Sequence, residues 1–172
     1  MKIRENHHII LEKHPYAEFL NKDLMAESQL HDNEINSNYT NLVGKKISTS
    51  KSNDAPSKLI GQWIVTILKD VVHNSPLIAE TISYDVSMWF AIYDEGDYAK
   101  SHHHIPYSLW SFVYYVNTPK GSSPLVFTTS GKKIKAEEGK LVLFPAGVRH
   151  HVPKNRCKNR LVLAGNLIPF RG

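Results

Sequence analysis

Cysteine is nearly absent from this chain. The one it has, Cys157, excludes an internal disulfide and any thiolate-based zinc site. It lies in the basic, turn-like run Lys154-Asn155-Arg156-Cys157-Lys158-Asn159. Cationic neighbours there could lower a thiol pKa, but the position reads as an incidental loop thiol. Long apolar runs are missing too, and none approaches the ~20 residues a membrane span needs. Met1 to His8 carry charge without the apolar stretch of a secretory signal. These absences predict a soluble, cytoplasmic protein with no membrane partner. There is no fixed-period repeat and no low-complexity tract.

What is present suits one globular domain, 1–172. The 172 residues, 41% hydrophobic and 22% charged, can bury a real core. The net charge of +5 and pI of about 9.2 permit weak attraction to polyanions. Much of the excess sits in Lys132-Lys133-Ile134-Lys135 and in Lys154 to Arg160. Neither patch is interleaved with aromatics as a nucleic-acid surface usually is, so both read as solvated loops.

The chain divides by periodicity. Residues 1–75 form a helical and loop support region: a short strand from Ile9-Ile10-Leu11, then a helix from Pro15 with Tyr16, Phe19, Leu20 and Leu24 as its apolar stripe. His31 to Asn53 is polar and reads as a long loop, a candidate lid. The clearest helix runs from Pro56 to Val72, where Leu59, Ile60, Trp63, Ile64, Ile67, Leu68, Val71 and Val72 make a wide apolar face that a β-sheet would cover. From Ser83 the period becomes two. Val86, Met88, Phe90 and Ile92 alternate with Asp85, Ser87, Trp89 and Ala91, and further strands are expected at 110–116, 124–129, 132–135, 140–144, 150–152 and 160–168. Short strands between turn signals predict a mainly β barrel core over 83–170, carried on N-terminal helices.

Chemistry concentrates in the histidines. On a strand, residues two apart share a face, so His102 and His104 would point together and His103 away. A third imidazole must come from a distant strand, and His150, just after the turn at Phe144-Pro145-Ala146-Gly147, is the candidate; His151 would face the other way. Three imidazoles suit iron, zinc, copper or nickel, and three protein ligands leave open positions, as a catalytic site needs. Arg160 shares a strand face with Val162, Ala164 and Asn166. An inward guanidinium needs an anion, and no carboxylate lies nearby in sequence, so a bound carboxylate is expected there.

At these residues the chain resembles the 2-oxoglutarate and iron(II)-dependent oxygenase superfamily, and most of all its small bacterial and phage-type domains. The resemblance covers Trp89 to Asn166. It rests on Gly96-Asp97-Tyr98, His102-x-His104, Ser111 to Val116, Pro124 to Phe127, Gly139 to Pro145, His150, and Arg160 followed by Asn166. It implies a double-stranded β-helix, a jelly-roll barrel, and Fe(II) held by His102, His104 and His150. It further implies 2-oxoglutarate bound through Arg160 with Asn166, and Tyr98, Ser111 and Tyr115 as pocket residues. The implied reaction decarboxylates 2-oxoglutarate to succinate and CO2 while hydroxylating a C–H bond of an unidentified primary substrate. If the gene is a phage's, the compartment is the host cytoplasm. The sequence departs from the superfamily at one ligand: where it usually carries His-x-Asp or His-x-Glu, this chain has His104, which leaves the metal site one charge more positive.

The cupins share this fold, and the same residues resemble them. Gly96 with His102-x-His104 matches the first half of one cupin motif, and Gly139, Pro145-x-Gly147 and His150 match most of the other. A cupin-like metal enzyme that uses no 2-oxoglutarate is therefore the alternative, and a non-catalytic barrel a third. Oligomeric state is left open, a homodimer included.

Overall fold

Two periodicities in the sequence become two kinds of layer. The computed structural model describes residues 8–30, 41–72 and 82–171. In chain order the elements are β1 (Ile10–Lys13), α1 (Ala17–Leu30), β2 (Leu42–Val43), β3 (Lys45–Ser48), α2 (Pro56–Val72), β4 (Ile82–Tyr93), β5 (Tyr98–His102), β6 (Trp110–Asn117), β7 (Leu125–Phe127), β8 (Lys133–Ile134), β9 (Lys140–Pro145), β10 (His150–Val152) and β11 (Arg160–Arg171). The strands form two antiparallel sheets. One has the order β1-β9-β6-β11-β4-β3 and the other β2-β5-β10-β7-β8. This is a mainly β, double-stranded β-helix sandwich with two helices on its six-stranded face.

The alternation in β4 and β6 separates two cores. Phe90, Phe112, Tyr114 and Leu163 point outward and pack with Leu24, Ile60, Ile64 and Leu68 of the helices. Ala91, Tyr93, Tyr115 and Val162 point inward and pack with Phe127, Phe144 and Val152 between the sheets. Tyr114 and Tyr115 thus serve opposite cores. The sheet expected to cover α2 is the six-stranded one, although Leu59 and Val71 at the edges of the apolar face stay exposed. The Val72 side chain lies outside the described residues.

Two expectations are corrected. In α1, Tyr16, just before the helix, and Phe19 are exposed, and the buried positions include Asn21, Leu24, Glu27 and Ser28. Polar groups won that face because each finds a partner. Asn21 Nδ2 donates to the Val116 carbonyl at 2.8 Å, and Asn21 Oδ1 accepts from the Tyr114 hydroxyl at 2.8 Å. Secondly, the stretch read as a long loop contains β2 and β3, which extend both sheets at their edges. Too short to show a period, these strands are set by pairing with β5 and β4. The rest of that expected loop, residues 31–40, lies outside the described residues.

Gly139 marks where helix and sheet come closest. Its φ is +78°, and a Cβ there would stand 2.3 Å from that of Ala17. Only glycine fits this turn into β9.

Candidate metal centre

Three histidines meet at the inner face of the five-stranded sheet. His102 ends β5 and His150 begins β10, and the antiparallel register sets the two directly opposite. His104 lies two residues beyond the end of β5, so it is a loop residue and not a strand partner of His102. Its backbone N–H, donating to the Ala146 carbonyl at 2.8 Å, holds it there. His103 is exposed. His151 turns away, its Nδ1 lying 2.9 Å from the Thr128 hydroxyl. The ring centroids of the triad are 4.3 Å apart for His102 and His150, 4.9 Å for His102 and His104, and 5.2 Å for His104 and His150. One nitrogen from each ring lies within 4.8 Å of the others.

The rings are prepared as ligands. His102 Nδ1 is 2.6 Å from the Lys100 carbonyl and His150 Nδ1 is 2.9 Å from the Val148 carbonyl. A carbonyl can only accept, so each Nδ1 carries the proton and each Nε2 keeps its lone pair. Burial holds His150 down to about 3 and His104 to about 4, with neighbouring imidazoles adding to the effect; Lys46 also pushes His104 down. Burial lowers His102 as well. Three neutral imidazoles therefore face one point at neutral pH, a donor set that fits a divalent transition metal.

The histidines line a cavity of about 290 Å³ between the sheets, and Arg160 lines it too. Arg160 opens β11 and is fully buried. Its Nε donates to the Ser123 carbonyl at 3.1 Å, and its Cζ lies 4.5 Å from the Tyr93 ring centroid and 5.5 Å from that of Tyr115. Both terminal nitrogens are buried without a hydrogen-bond partner, as is the Tyr115 hydroxyl. Burial raises the phenols of Tyr93 and Tyr115, and Arg160 partly offsets this through its charge and through side-chain contact with both hydroxyls, so the guanidinium tips meet phenols but no carboxylate. Among the described residues no carboxylate lines the cavity. A buried cation with two idle donors is costly unless an anion meets it, so the residues present fit a ligand carboxylate.

The other residues singled out in the sequence divide. Ser111 and Asn166 both line the cavity, and the Ser111 hydroxyl donates to Asn166 Oδ1 at 2.9 Å. Asn166 does not join Arg160, however. Six residues along a regular strand separate them, roughly 20 Å, too far for one carboxylate to touch both. Tyr115 lies behind the guanidinium and not on the cavity wall. Tyr98 is not on that wall either. It borders a separate shallow groove with Lys100, Ser101 and His151, while its neighbour Ala99 takes the inward position.

Several residues of the site had no signal in the sequence. Buried Asn155 bridges its surroundings: its Nδ2 donates to the Tyr93 and Cys157 carbonyls, and its Oδ1 accepts from Ser123 N–H at 3.0 Å. It thus fixes the carbonyl that holds Arg160. Lys46 and Trp89 line the cavity as a stacked pair, with Lys46 Nζ 4.1 Å from the Trp89 ring centroid. Burial lowers the Lys46 ammonium from its usual value.

With sandwich and cavity described, the chain has the fold of the 2-oxoglutarate–Fe(II) oxygenases. A prolyl-4-hydroxylase from Pseudomonas putida superposes with a TM-score of 0.72 at 20% identity, over 96% of this chain and 94% of that one. The viral collagen prolyl hydroxylase of Paramecium Bursaria Chlorella virus-1, solved with 2-oxoglutarate, gives 0.73 at 13% identity, over 92% and 94%. A Trichoplax adhaerens prolyl hydroxylase, in complex with a hypoxia inducible factor peptide, gives 0.63 at 12%, over 92% and 82%. The sequence matches no family model and no curated protein.

Proposed function

We propose that this protein is an Fe(II)- and 2-oxoglutarate-dependent oxygenase with three histidine ligands. One observation carries the reading: the two idle guanidinium nitrogens of buried Arg160 line the same cavity as the His102, His104 and His150 cluster. His102, His104 and His150 would hold the metal, and Arg160 the distal carboxylate of 2-oxoglutarate through paired N–H donors. Together the metal and 2-oxoglutarate supply oxygen activation coupled to loss of CO2. The chain's own work is binding and orientation. The Lys100 and Val148 carbonyls fix the imidazole tautomers, Asn155 and Ser123 aim the guanidinium, and Phe144 and Val152 keep the inner wall apolar.

Titrating 2-oxoglutarate into the anaerobic Fe(II) protein tests this. A visible charge-transfer band that saturates with 2-oxoglutarate is expected, together with at least about tenfold weaker binding in Arg160→Met, since a charge-assisted pair is lost. Succinate should form under oxygen and disappear in His150→Ala. Absence of any spectral or calorimetric response to millimolar 2-oxoglutarate overturns the reading.

A second reading rests on His104 standing where the oxygenases usually carry a carboxylate. It is a cupin-like metal enzyme that uses no 2-oxoglutarate. It predicts stoichiometric metal in the native protein with the same spectrum before and after 2-oxoglutarate is added.

A further inference from the structure

The cavity wall holds two cations at different places. Arg160 sits at the start of β11 and is fully buried. Lys46 belongs to β3, the edge strand, where it pairs with Ala91 of β4, and it is only partly buried. In the sheet order β11-β4-β3, Lys46 stands in register with Ala91 and, beyond it, with Val162, two residues from Arg160. Its Nζ leans away from Arg160, towards Trp89, which pairs with Ala164. Its Nζ rests on the Trp89 ring, and among the described residues it meets no carboxylate.

Asn166 lines the same cavity, but it lies four residues along β11 from Val162, the residue in register with Ala91 and so with Lys46. Its Oδ1 is engaged by the Ser111 hydroxyl. Lys46 and Asn166 thus offer donors at separate places on the wall, and an ammonium, which has no acceptor, selects one.

The charge balance points the same way. With Arg160 matched to one carboxylate of 2-oxoglutarate and the metal to the keto-acid end, one charge of a divalent ion is still uncompensated. The carboxylate ligand that would cancel it is replaced by His104. Lys46 adds another positive charge to a low-dielectric cavity that no described carboxylate lines.

We propose that the primary substrate is a small carboxylic acid whose carboxylate binds Lys46. This rests on the oxygenase reading above and deepens it. The three-histidine ligand set and Lys46 are then one adaptation. The charge withheld from the metal shell is supplied by an anionic substrate, which the cationic cavity also attracts.

The test is isothermal titration of the anaerobic Fe(II) protein, with and without saturating 2-oxoglutarate. Probes are the N-acetyl derivatives of the protein amino acids, each as the free acid and as its primary amide, together with an end-blocked prolyl peptide. The best acid should bind at least about tenfold more tightly than its own amide, as expected when a charge-assisted bond is lost. Lys46→Met should abolish that preference and Lys46→Arg should keep it. Lys46→Met should weaken 2-oxoglutarate binding far less than Arg160→Met does, which separates failure of this proposal from failure of the cosubstrate reading. Equal binding of acids and amides, tighter binding of the prolyl peptide, no acid binding at millimolar probe, or an acid preference that survives Lys46→Met each overturns it.

Discussion

At Arg160 the proposed function and the stability of the fold pull in opposite directions. Its guanidinium is fully buried with one hydrogen bond, from Nε to Ser123, and two nitrogens without partners. An orphaned buried polar group costs about 1–3 kcal/mol, and replacing a buried ion by an apolar side chain of similar volume is often neutral or stabilising. Stacking on Tyr93 recovers only part of that cost. Without 2-oxoglutarate, Arg160→Met should therefore be as stable as the wild type or more stable by up to about 3 kcal/mol, read from the urea midpoint at constant m-value. With saturating 2-oxoglutarate the order should reverse, because only the wild type gains ligand-linked stability. A lower midpoint in the ligand-free mutant would mean that the Ser123 bond and the ring contacts outweigh the idle nitrogens.

Among the elements, those with a long period were legible and those defined by pairing were not. The alternation through β4, the apolar face of α2 and the runs of β6, β9 and β11 each carry enough residues to declare themselves. β3 has four residues, Lys45-Lys46-Ile47-Ser48, and exists because β4 offers it an edge. Lys46 was hidden with it. The histidine pair was found through strand geometry, yet β5 stops at His102 and a loop bond to Ala146 places His104. Asn155 sits in a run that reads as a solvated basic turn, and only the tertiary fold brings Tyr93, Asp94 and Ser123 to its side chain beside the local Cys157. α1 was misread for a related reason: its buried face is polar because of what α2 and β6 present to it. Glu27 of α1 accepts from Ser50 N–H, Ser57 N–H and the Ser57 hydroxyl, the latter two at the first turn of α2. One carboxylate thus caps a neighbouring helix across 30 residues of sequence. Glu27→Ala should cost about 2–3 kcal/mol, since it removes a cap and leaves buried donors unpaired. The readout is the urea midpoint at constant m-value. A loss under about 0.5 kcal/mol, ordinary for an unremarkable surface change, would show that the cap is not holding α2.

For the whole molecule, the metal centre ties stability to pH. In the unfolded chain the three histidines titrate near 6.5, while in the fold burial lowers all three, His104 to about 4 and His150 to about 3. Below pH 6.5 the unfolded chain therefore binds more protons than the folded one, and stability rises with pH across that window. This contribution is complete above about pH 7.5 and is lost progressively as the pH falls from 6.5 towards the folded values. Carboxylates titrate mainly below 5, so the interval between pH 7.5 and 5 isolates the histidines: the three of the metal centre together with His14, whose pKa burial also lowers. Chelator-treated, metal-free protein should melt at steadily lower temperature across that interval. His150→Gln, with one titrating group fewer, should show a shallower slope. A divalent metal, which binds the neutral imidazoles of the fold, should raise the melting temperature at pH 7.5. No helix among the described residues is long and apolar enough to cross a membrane. A metal-free melting temperature that stays constant from pH 7.5 to 5 would contradict the burial of neutral imidazoles on which the candidate metal centre rests.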